Sequence, residues 1–198
     1  MHRRFRERYG PWGLVAGGST GLGAAYAGAL ARRGLDLILV AEAADPLARV
    51  AAETSDRFGV EARAIVADLA DAGAVASLLA DIDELDVGMV VANAAAAPIG
   101  PFLATTLADK QRAIAVNCSA PMRLCDHYAP RLVRRGAGAI VVMSSLAALQ
   151  GQALVGTYAA TKAFDLVLAE SLWAELGEHG VDVLAVCPGP TRTPGLRG

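Results

Sequence analysis

The stretch Trp12–Gly23, WGLVAGGSTGLG, decides the fold of this 198-residue chain. Its first five residues predict a buried strand, and the residues after the glycines predict a helix from Gly21 to Arg33 that ends at Gly34. A Gly-x-x-x-Gly-x-Gly turn between a strand and a helix is typical of proteins that hold the diphosphate of a dinucleotide. The Gly-Lys-Ser/Thr of a triphosphate-binding loop does not follow, so this stretch predicts a dinucleotide site.

Each residue of the turn has an expected part in binding. Gly17 allows the tight turn, Gly21 lets the backbone approach the diphosphate, and Gly23 lets the helix pack closely on the strand. Free N–H groups at the start of the helix then face the anion. We therefore expect cofactor contacts from Gly17, Ser19, Thr20, Gly21, Leu22 and Gly23.

Downstream of the turn, short apolar runs alternate with longer helical patterns. Further strands are predicted at Leu35–Val40, Val60–Val66, Val87–Ala92, Ala139–Met143 and Val181–Cys187. Helices are predicted at Asp45–Phe58, Asp71–Ile82, Leu107–Arg135 and Val155–Gly177, the third interrupted at Pro121 and Pro130. This alternation predicts an α/β fold with parallel strands, right-handed crossovers and helices on both faces of the sheet.

Composition favours one globular domain that spans residues 1–198. Hydrophobic residues make up 54% of the chain and the net charge is -2, without the clustered basic face of a nucleic-acid-binding protein. The basic run near the amino terminus is interpreted as a solvated helix or arm. Three cysteines without a Cys-x-x-Cys pair favour reduced thiols in the cytoplasm, and three scattered histidines do not predict a metal site. Neither a signal peptide nor a membrane-spanning helix is predicted.

Tyr158 and Lys162 are the candidate catalytic residues that the spacing of side chains on a helix indicates. Four residues apart on a predicted helix, they share one face, and the ammonium would favour the phenolate form and lower the pKa of the tyrosine. A hydroxyl from Ser145, thirteen residues before Tyr158, could approach from a neighbouring loop. Together they would form a proton donor and acceptor for interconverting an alcohol and a carbonyl.

Two carboxylates are candidates for contacting the adenosine half of the cofactor. Glu42 follows the second strand, where it could accept a hydrogen bond from a ribose 2′-hydroxyl and would repel a 2′-phosphate. The sequence places neither Arg nor Lys near Glu42 or in the Ser19-Thr20 turn to receive a phosphate. We therefore expect NAD to be preferred, with NADP as the alternative. Asp68 follows the third strand and could accept from the adenine amino group.

Taken together, the motifs resemble the short-chain dehydrogenase/reductase family from Trp12 to Pro194. The resemblance rests on the glycine turn and, further along the chain, on Asp68-Leu69, Asn93, Asn117, Ser145, Tyr158, Lys162 and Pro188-Gly189. The start Arg-Tyr-Gly-Pro-Trp and the ending Cys-Pro-Gly-Pro-Thr-Arg-Thr are most similar to bacterial members. The family resemblance implies a three-layer, Rossmann-type doubly wound sheet with strand order 3-2-1-4-5-6.

The resemblance also assigns roles to individual residues. It implies that Asn117, Ser145, Tyr158 and Lys162 are the catalytic residues, with Tyr158 as general acid/base and Ser145 binding the substrate oxygen. Lys162 would also hold the nicotinamide ribose, and Asn117 would hold a relay water. Further cofactor contacts are implied at Leu69, Asn93, Pro188, Gly189 and Thr191, the last two beside the nicotinamide carboxamide.

The chain also departs from the family pattern. Family members usually have Thr at Ala16, Gly at Ala95, and Arg near Glu42 where it suits NADP. In the family that Thr ties the first strand to the Asn93 loop by a hydrogen bond, so we expect the two changes to be coupled. The extra methyl of Ala95 would crowd the cofactor, which predicts weaker cofactor binding. Relatives also continue past the sixth strand with a substrate lid and a seventh strand. If residue 198 is the natural carboxyl terminus, we expect the sixth strand to be an exposed edge; a fragment of a longer protein, a remaining part that was not observed and a shortened protein are all left open.

Two other hypotheses remain open beside the oxidoreductase. One is a non-catalytic, dinucleotide-binding regulatory or scaffold protein of the same fold. The other is a fragment that assembles with a partner chain through the helices at 107–135 and 155–177, by which relatives form dimers or tetramers. For the oxidoreductase we expect an apolar carbonyl or alcohol substrate, because Leu146, Leu149, Leu154 and Val155 flank its pocket.

Overall fold

The computed structural model describes residues 2–191, with side chains from Arg4 onward. Six parallel strands form one sheet in the order β3-β2-β1-β4-β5-β6. They are β1 Trp12–Ala16, β2 Asp36–Ala41, β3 Ala62–Val66, β4 Val87–Ala92, β5 Gly138–Met143 and β6 Val181–Val186. The predicted doubly wound parallel sheet and its strand order are confirmed.

Within residues 2–191 there are seven α-helices, of which the first precedes β1 and the other six lie between strands. They are α1 His2–Tyr9, α2 Gly21–Ala31, α3 Ala44–Phe58, α4 Ala72–Asp81, α5 Leu107–Ile114, α6 Ala120–Arg135 and α7 Gly156–Leu176. A π-helical turn, Ala115–Ser119, joins α5 to α6, and short 3-10 turns lie at Leu146–Leu149 and Gly177–His179.

The predicted interruption between residues 107 and 135 is present, and Pro121 marks one of its boundaries because α6 begins at Ala120. Pro121 sits in the first turn of α6, where its missing N–H costs little, and Pro130 lies inside the helix. The departure from regular α-helix is the π-helical turn five residues long that contains Asn117. Such turns are frequent at functional sites, because the extra residue re-aims a side chain.

Both faces of the sheet are covered, which gives the expected three layers. Leu14, Ile38 and Val90 pack with residues of α4 and α6 on one face, and α7 joins this layer beside β5 and β6. On the opposite face, Val15 and Leu39 pack against α2 and α3. Alternate residues of β1, β2, β4 and β5 therefore serve separate cores on the two faces, as a strand buried on both sides requires.

Helix α1 is tied to the sheet, which the prediction of a solvated helix or arm did not include. Arg6 forms an ion pair with Asp36 at the start of β2, at 2.8 Å, and Arg8 forms one with Asp182 of β6, also at 2.8 Å. Phe5 packs against the core beneath α2 and α3. The basic run thus anchors the helix against the amino-terminal ends of the strands.

The carboxyl ends of the strands form the opposite edge of the sheet. β1 lies between β2 and β4, so the connections after β1 and β4 run in opposite directions and leave a crevice there. Within residues 2–191, β6 pairs with β5 alone, and Leu184 on β6 is 55% exposed. Arg192 and Thr193 of the family-like ending, and Pro194, lie outside the described residues.

Candidate active site

A cavity of about 730 Å³ opens in the crevice between β1 and β4. Its wall contains most of the residues predicted to bind cofactor, from the glycine turn to the carboxyl end of β6. These are Gly17, Ser19, Thr20, Gly21, Leu22, Glu42, Asp68, Leu69, Asn93, Tyr158, Lys162 and Pro188. Of the other predicted contacts, Gly23, Gly189 and Thr191 are not part of this wall.

The turn between β1 and α2 has the geometry that the glycine spacing predicts. Gly17 has a φ of +85°, and a β-carbon there would come within 2.6 Å of the Ala94 nitrogen. A β-carbon on Gly23 would overlap the Gly17 carbonyl oxygen. The two glycines therefore let the loop, the turn and the first turn of α2 approach one another, which leaves an open cradle suited to a dinucleotide diphosphate.

The Asn93 loop is firmly tied to β1 although Ala16 lacks a side-chain hydroxyl. The main-chain nitrogens of Asn93 and Ala94 both donate to the Ala16 carbonyl, at 2.9 and 2.8 Å. The Asn93 side-chain amide donates to the Gly17 carbonyl at 2.9 Å. Main-chain bonds and one amide therefore hold the loop in place without a side-chain hydroxyl at position 16.

An arginine lies beside Glu42, contrary to the expectation that no cation is near it. Arg112 Nη2 donates to Glu42 Oε2 at 2.7 Å, and the same guanidinium forms two bonds to the carboxylate of Asp68, at 2.9 and 3.1 Å. Arg112 belongs to α5, 70 residues from Glu42, so nothing local in the sequence indicated the contact. A positive charge that the sequence did not predict therefore lies in the same wall, where it would attract a 2′-phosphate.

Asp68 is already hydrogen-bonded at the position where an adenine amino group was expected to bind. Besides Arg112, its carboxylate accepts from the Ala70 nitrogen at 2.9 Å. The Arg112 guanidinium and the Ala70 N–H hold the pKa of the Asp68 carboxyl below its ordinary value. Asp68 is thus an ionised acceptor whose orientation is fixed by α5.

The Tyr158 and Lys162 side chains both line the cavity from the first turns of α7. The Lys162 nitrogen lies 5.9 Å from the centre of the Tyr158 ring. Lys162 is 2% exposed and donates to the Met143 carbonyl at 2.7 Å and to Asp165 at 2.9 Å. The Asp165 contact was missed, although the spacing of three residues on one helix could have indicated it.

Ser145 is half-buried in the loop after β5 and caps the 3-10 turn Leu146–Leu149. Its hydroxyl oxygen accepts from the Ala147 nitrogen at 3.1 Å. The preceding Ser144 lines the cavity, whereas Ser145 itself does not, and Ser144 donates its hydroxyl to the Lys162 carbonyl at 2.6 Å. The loop after β5 is thereby tied to the first turns of α7.

Asn117 is fully buried in the π-helical turn and does not line the cavity. Its side-chain oxygen accepts from the Ala96 nitrogen at 2.7 Å, while its amide donates to the Ala96 carbonyl and to Thr161, each at 2.9 Å. Both amide protons are therefore used within the protein. A relay water could bind this side chain only at the second lone pair of its oxygen.

The end of β6 completes the wall near Ser145. The Pro188 carbonyl accepts from the Leu146 nitrogen at 3.1 Å, which connects the segments after β5 and β6. Thr191 donates its hydroxyl to the Gly189 carbonyl at 2.9 Å.

Among the side chains described from Arg4 to Thr191, no three histidine, cysteine, aspartate or glutamate residues come together as metal ligands. Nor does any described helix combine the length and hydropathy that crossing a membrane requires.

A glycine cradle at the switch point of a doubly wound sheet, with a tyrosine and a lysine in its wall, defines a dinucleotide-binding oxidoreductase. The short chain dehydrogenase family model matches residues 12–197. The chain therefore belongs to the short-chain dehydrogenase family. As a member it uses NAD(P) to interconvert a carbonyl and an alcohol by hydride transfer.

Three comparisons show how close the similarity is. A 7beta-hydroxysteroid dehydrogenase of Clostridium sardiniense is 32% identical over 190 residues, which cover 96% of this chain and 73% of that protein. The structure of a short-chain dehydrogenase from Sphingobium yanoikuyae in complex with NADPH is 39% identical with a TM-score of 0.88, covering 92% of this chain and 72% of that one. A bulky-bulky ketone specific alcohol dehydrogenase from Comamonas testosteroni is 33% identical with a TM-score of 0.89, covering 93% and 74%.

Proposed function

We propose that this protein, as a single dinucleotide-binding domain, reduces bulky apolar ketones to secondary alcohols and catalyses the reverse reaction. The observation that carries the proposal is the position of Tyr158 and Lys162, which face the same cavity as the glycine cradle. A bound nicotinamide would donate or accept the hydride at C4. The residues of the chain then have to bind both reactants and move one proton.

Tyr158 is the proton donor to the carbonyl oxygen during reduction and the acceptor during oxidation. Ser145 donates a hydrogen bond to the same oxygen, where negative charge develops in the transition state. Lys162 has three N–H donors and uses two of them within the protein, so the third is available to a ribose hydroxyl in the cavity. Asn117 keeps the Ala96 loop against α7, and this is a positioning role.

Apolar residues of the cavity wall suit an apolar substrate. Ala94, Ala97, Ile99 and Val155 line the cavity, and Leu146, Leu149 and Leu154 are more than half exposed on the turns before α7. The printed names of two relatives, which specify a hydroxysteroid and a bulky-bulky ketone, agree with a substrate of this type. A bulky hydrophobic ketone is therefore the substrate class to test first.

Deuteride transfer tests this function directly. The protein would be incubated with NADH or NADPH deuterated at C4 and with two ketones, one a steroid-sized apolar ketone and one small and polar. We expect one deuterium on the carbinol carbon of the large substrate and a slower reaction of the small one. Binding of the cofactor without any alcohol product would overturn the proposal and favour the non-catalytic dinucleotide-binding alternative.

Of the two cofactors, we expect the pocket to prefer NAD. Glu42 and Asp68 bring two negative charges to the adenosine end against one positive charge on Arg112, and a 2′-phosphate adds further negative charge. Arg112 weakens the preference for NAD, because its positively charged guanidinium lies 2.7 Å from the Glu42 carboxylate and offsets that negative charge. The NADPH complex of the Sphingobium yanoikuyae protein is consistent with use of NADP within the family.

Assembly into a homodimer or homotetramer through α5, α6 and α7 is part of the same proposal. Several apolar side chains on these helices stand at least 38% exposed, namely Ile114, Met122, Phe164 and Val167. Their cover in an oligomer would remove apolar area from water. The free thiols of Cys118, Cys125 and Cys187 suit a reducing compartment, which supports the cytoplasm as its location.

A further inference from the structure

Asp165 occupies a place where a charge is costly. It lies on α7 one turn after Lys162, is 0% exposed, and accepts from the Lys162 ammonium at 2.9 Å. The second carboxylate oxygen, Oδ1, has no hydrogen-bond partner among the described residues. A carboxylate in such a site needs a compensating charge and hydrogen bonds, since burial alone would favour an apolar residue.

Lys162 is held at two points by this arrangement. Asp165 contacts its ammonium from the next turn of α7, and the Met143 carbonyl contacts it from the end of β5 at 2.7 Å. An ammonium on a four-carbon stem has many rotamers, and two fixed acceptors select one of them. The remaining N–H is the donor left for the cavity that Lys162 lines.

Lys162 is the ionised group that Asp165 faces most closely. Cys118 of the π-helical turn and Cys125 of α6 also interact electrostatically with Asp165, and burial raises the pKa of these thiols to about 11 and about 12. Both thiols are therefore neutral in the pH range of activity. Burial raises the pKa of Asp165 itself to about 6, against the opposite influence of Lys162.

We propose that Asp165 is a positioning residue of the reaction, which fixes the Lys162 ammonium at the cavity and moderates the positive charge that Tyr158 experiences. The inference rests on the proposed function, because it concerns the same proton transfer. An ionised Asp165 partly cancels the field of Lys162 at the phenol, and it stabilises the charged form of Lys162.

Loss of the Asp165 charge has two effects of the same sign. The Tyr158 phenol would face the ammonium without its counter-charge, which favours the phenolate. The Lys162 ammonium would lose its partner in a buried place, which favours the neutral amine. Both limbs of the pH–rate profile for alcohol oxidation should therefore move toward lower pH.

The experiment compares pH–rate profiles of the wild type with those of Asp165→Asn and Asp165→Ser. We expect both variants to shift the profile downward by about one pH unit, while Asp165→Glu keeps the wild-type position at a reduced rate. Glu170→Gln is the matched control, because Glu170 is exposed on the same helix. The serine variant is smaller than the asparagine variant and serves as a second neutral replacement, with circular dichroism to establish folding.

The possible results separate the two proposals. A uniform loss of rate without a shift of the profile would give Asp165 a merely structural role and overturn this inference alone. A shift toward higher pH in the neutral variants would overturn it too. A folded, cofactor-binding wild type without turnover of any ketone would overturn the proposed function, and the role of Asp165 with it.

Discussion

Among single residues, Arg112 and Asp165 have contacts at the site that were not predicted from the sequence. The predicted cofactor residues were found from short motifs, in which every partner lies within a few positions. Arg112 contacts Glu42 and Asp68 across 70 and 44 residues, so its place depends on the fold of the whole sheet. Asp165 is three residues from Lys162, but its complete burial was not evident from the apolar helix pattern.

The charges around Arg112 predict how the cofactor preference should change. Arg112→Gln should raise the dissociation constant of NADPH roughly tenfold more than that of NADH, a difference of about 1.4 kcal/mol. Glu42→Gln should act in the opposite direction and tighten NADPH binding several-fold, because it removes a negative charge from the same place. Titration of nicotinamide fluorescence measures both constants.

Arg49→Gln is the control for these variants, since it removes the same charge from an exposed site on α3 that is not part of the cavity wall. Equal loss of NADH and NADPH affinity in Arg112→Gln would contradict a role in discriminating the two. So would weaker NADPH binding in Glu42→Gln.

At the scale of elements, prediction succeeded where a local rule fixes both ends. The bounds of β1 and β4 agree with the prediction because glycines and an abrupt change of polarity delimit each apolar run. β3 begins at Ala62, two residues later than predicted. The prediction included the apolar Val60, which precedes the first residue of β3 that pairs with β2. The prolines indicated an interruption near the start of α6, but they did not predict a π-helical turn. A π-helical turn is defined by its hydrogen-bonding pattern, and prolines do not specify that pattern.

The π-helical turn holds a loop of the candidate active site against α7. It places Asn117 where its amide bonds both to the Ala96 loop and to Thr161 on α7. The loop that lines the cavity and the helix that carries Tyr158 are thus held at a fixed separation. The sequence identified Asn117 through family resemblance, whereas these partners required the three-dimensional arrangement.

At the scale of the whole molecule, the alternation of strands and helices was enough to predict a parallel sheet with helices on both faces. Strand order came from the resemblance, and the matching structures agree with it. The attachment of α1 to the strands was not predicted, because Asp36 and Asp182 lie 30 and 174 residues away from their arginine partners.

The exposed apolar side chains of α5 to α7 predict the oligomeric state. Light scattering of the wild type should give two or four times the chain mass of 20.3 kDa. Val167→Glu should lower the measured mass to that of a single chain, because Val167 is 60% exposed on α7 and a charge there would oppose burial in an interface. Val66→Glu, at a 56% exposed position on β3, should leave the mass unchanged. A wild type that stays monomeric at every concentration would contradict assembly through these helices.

The central claim of this account is that Tyr158 transfers the proton beside a dinucleotide held by the glycine cradle. Its most direct test is to measure kcat for ketone reduction and the dissociation constant of NADH in the same Tyr158→Phe protein. We expect kcat to fall by at least about a hundredfold, in the range typical of a lost general acid, with NADH affinity changed by less than about threefold. Turnover at the wild-type rate would contradict the claim.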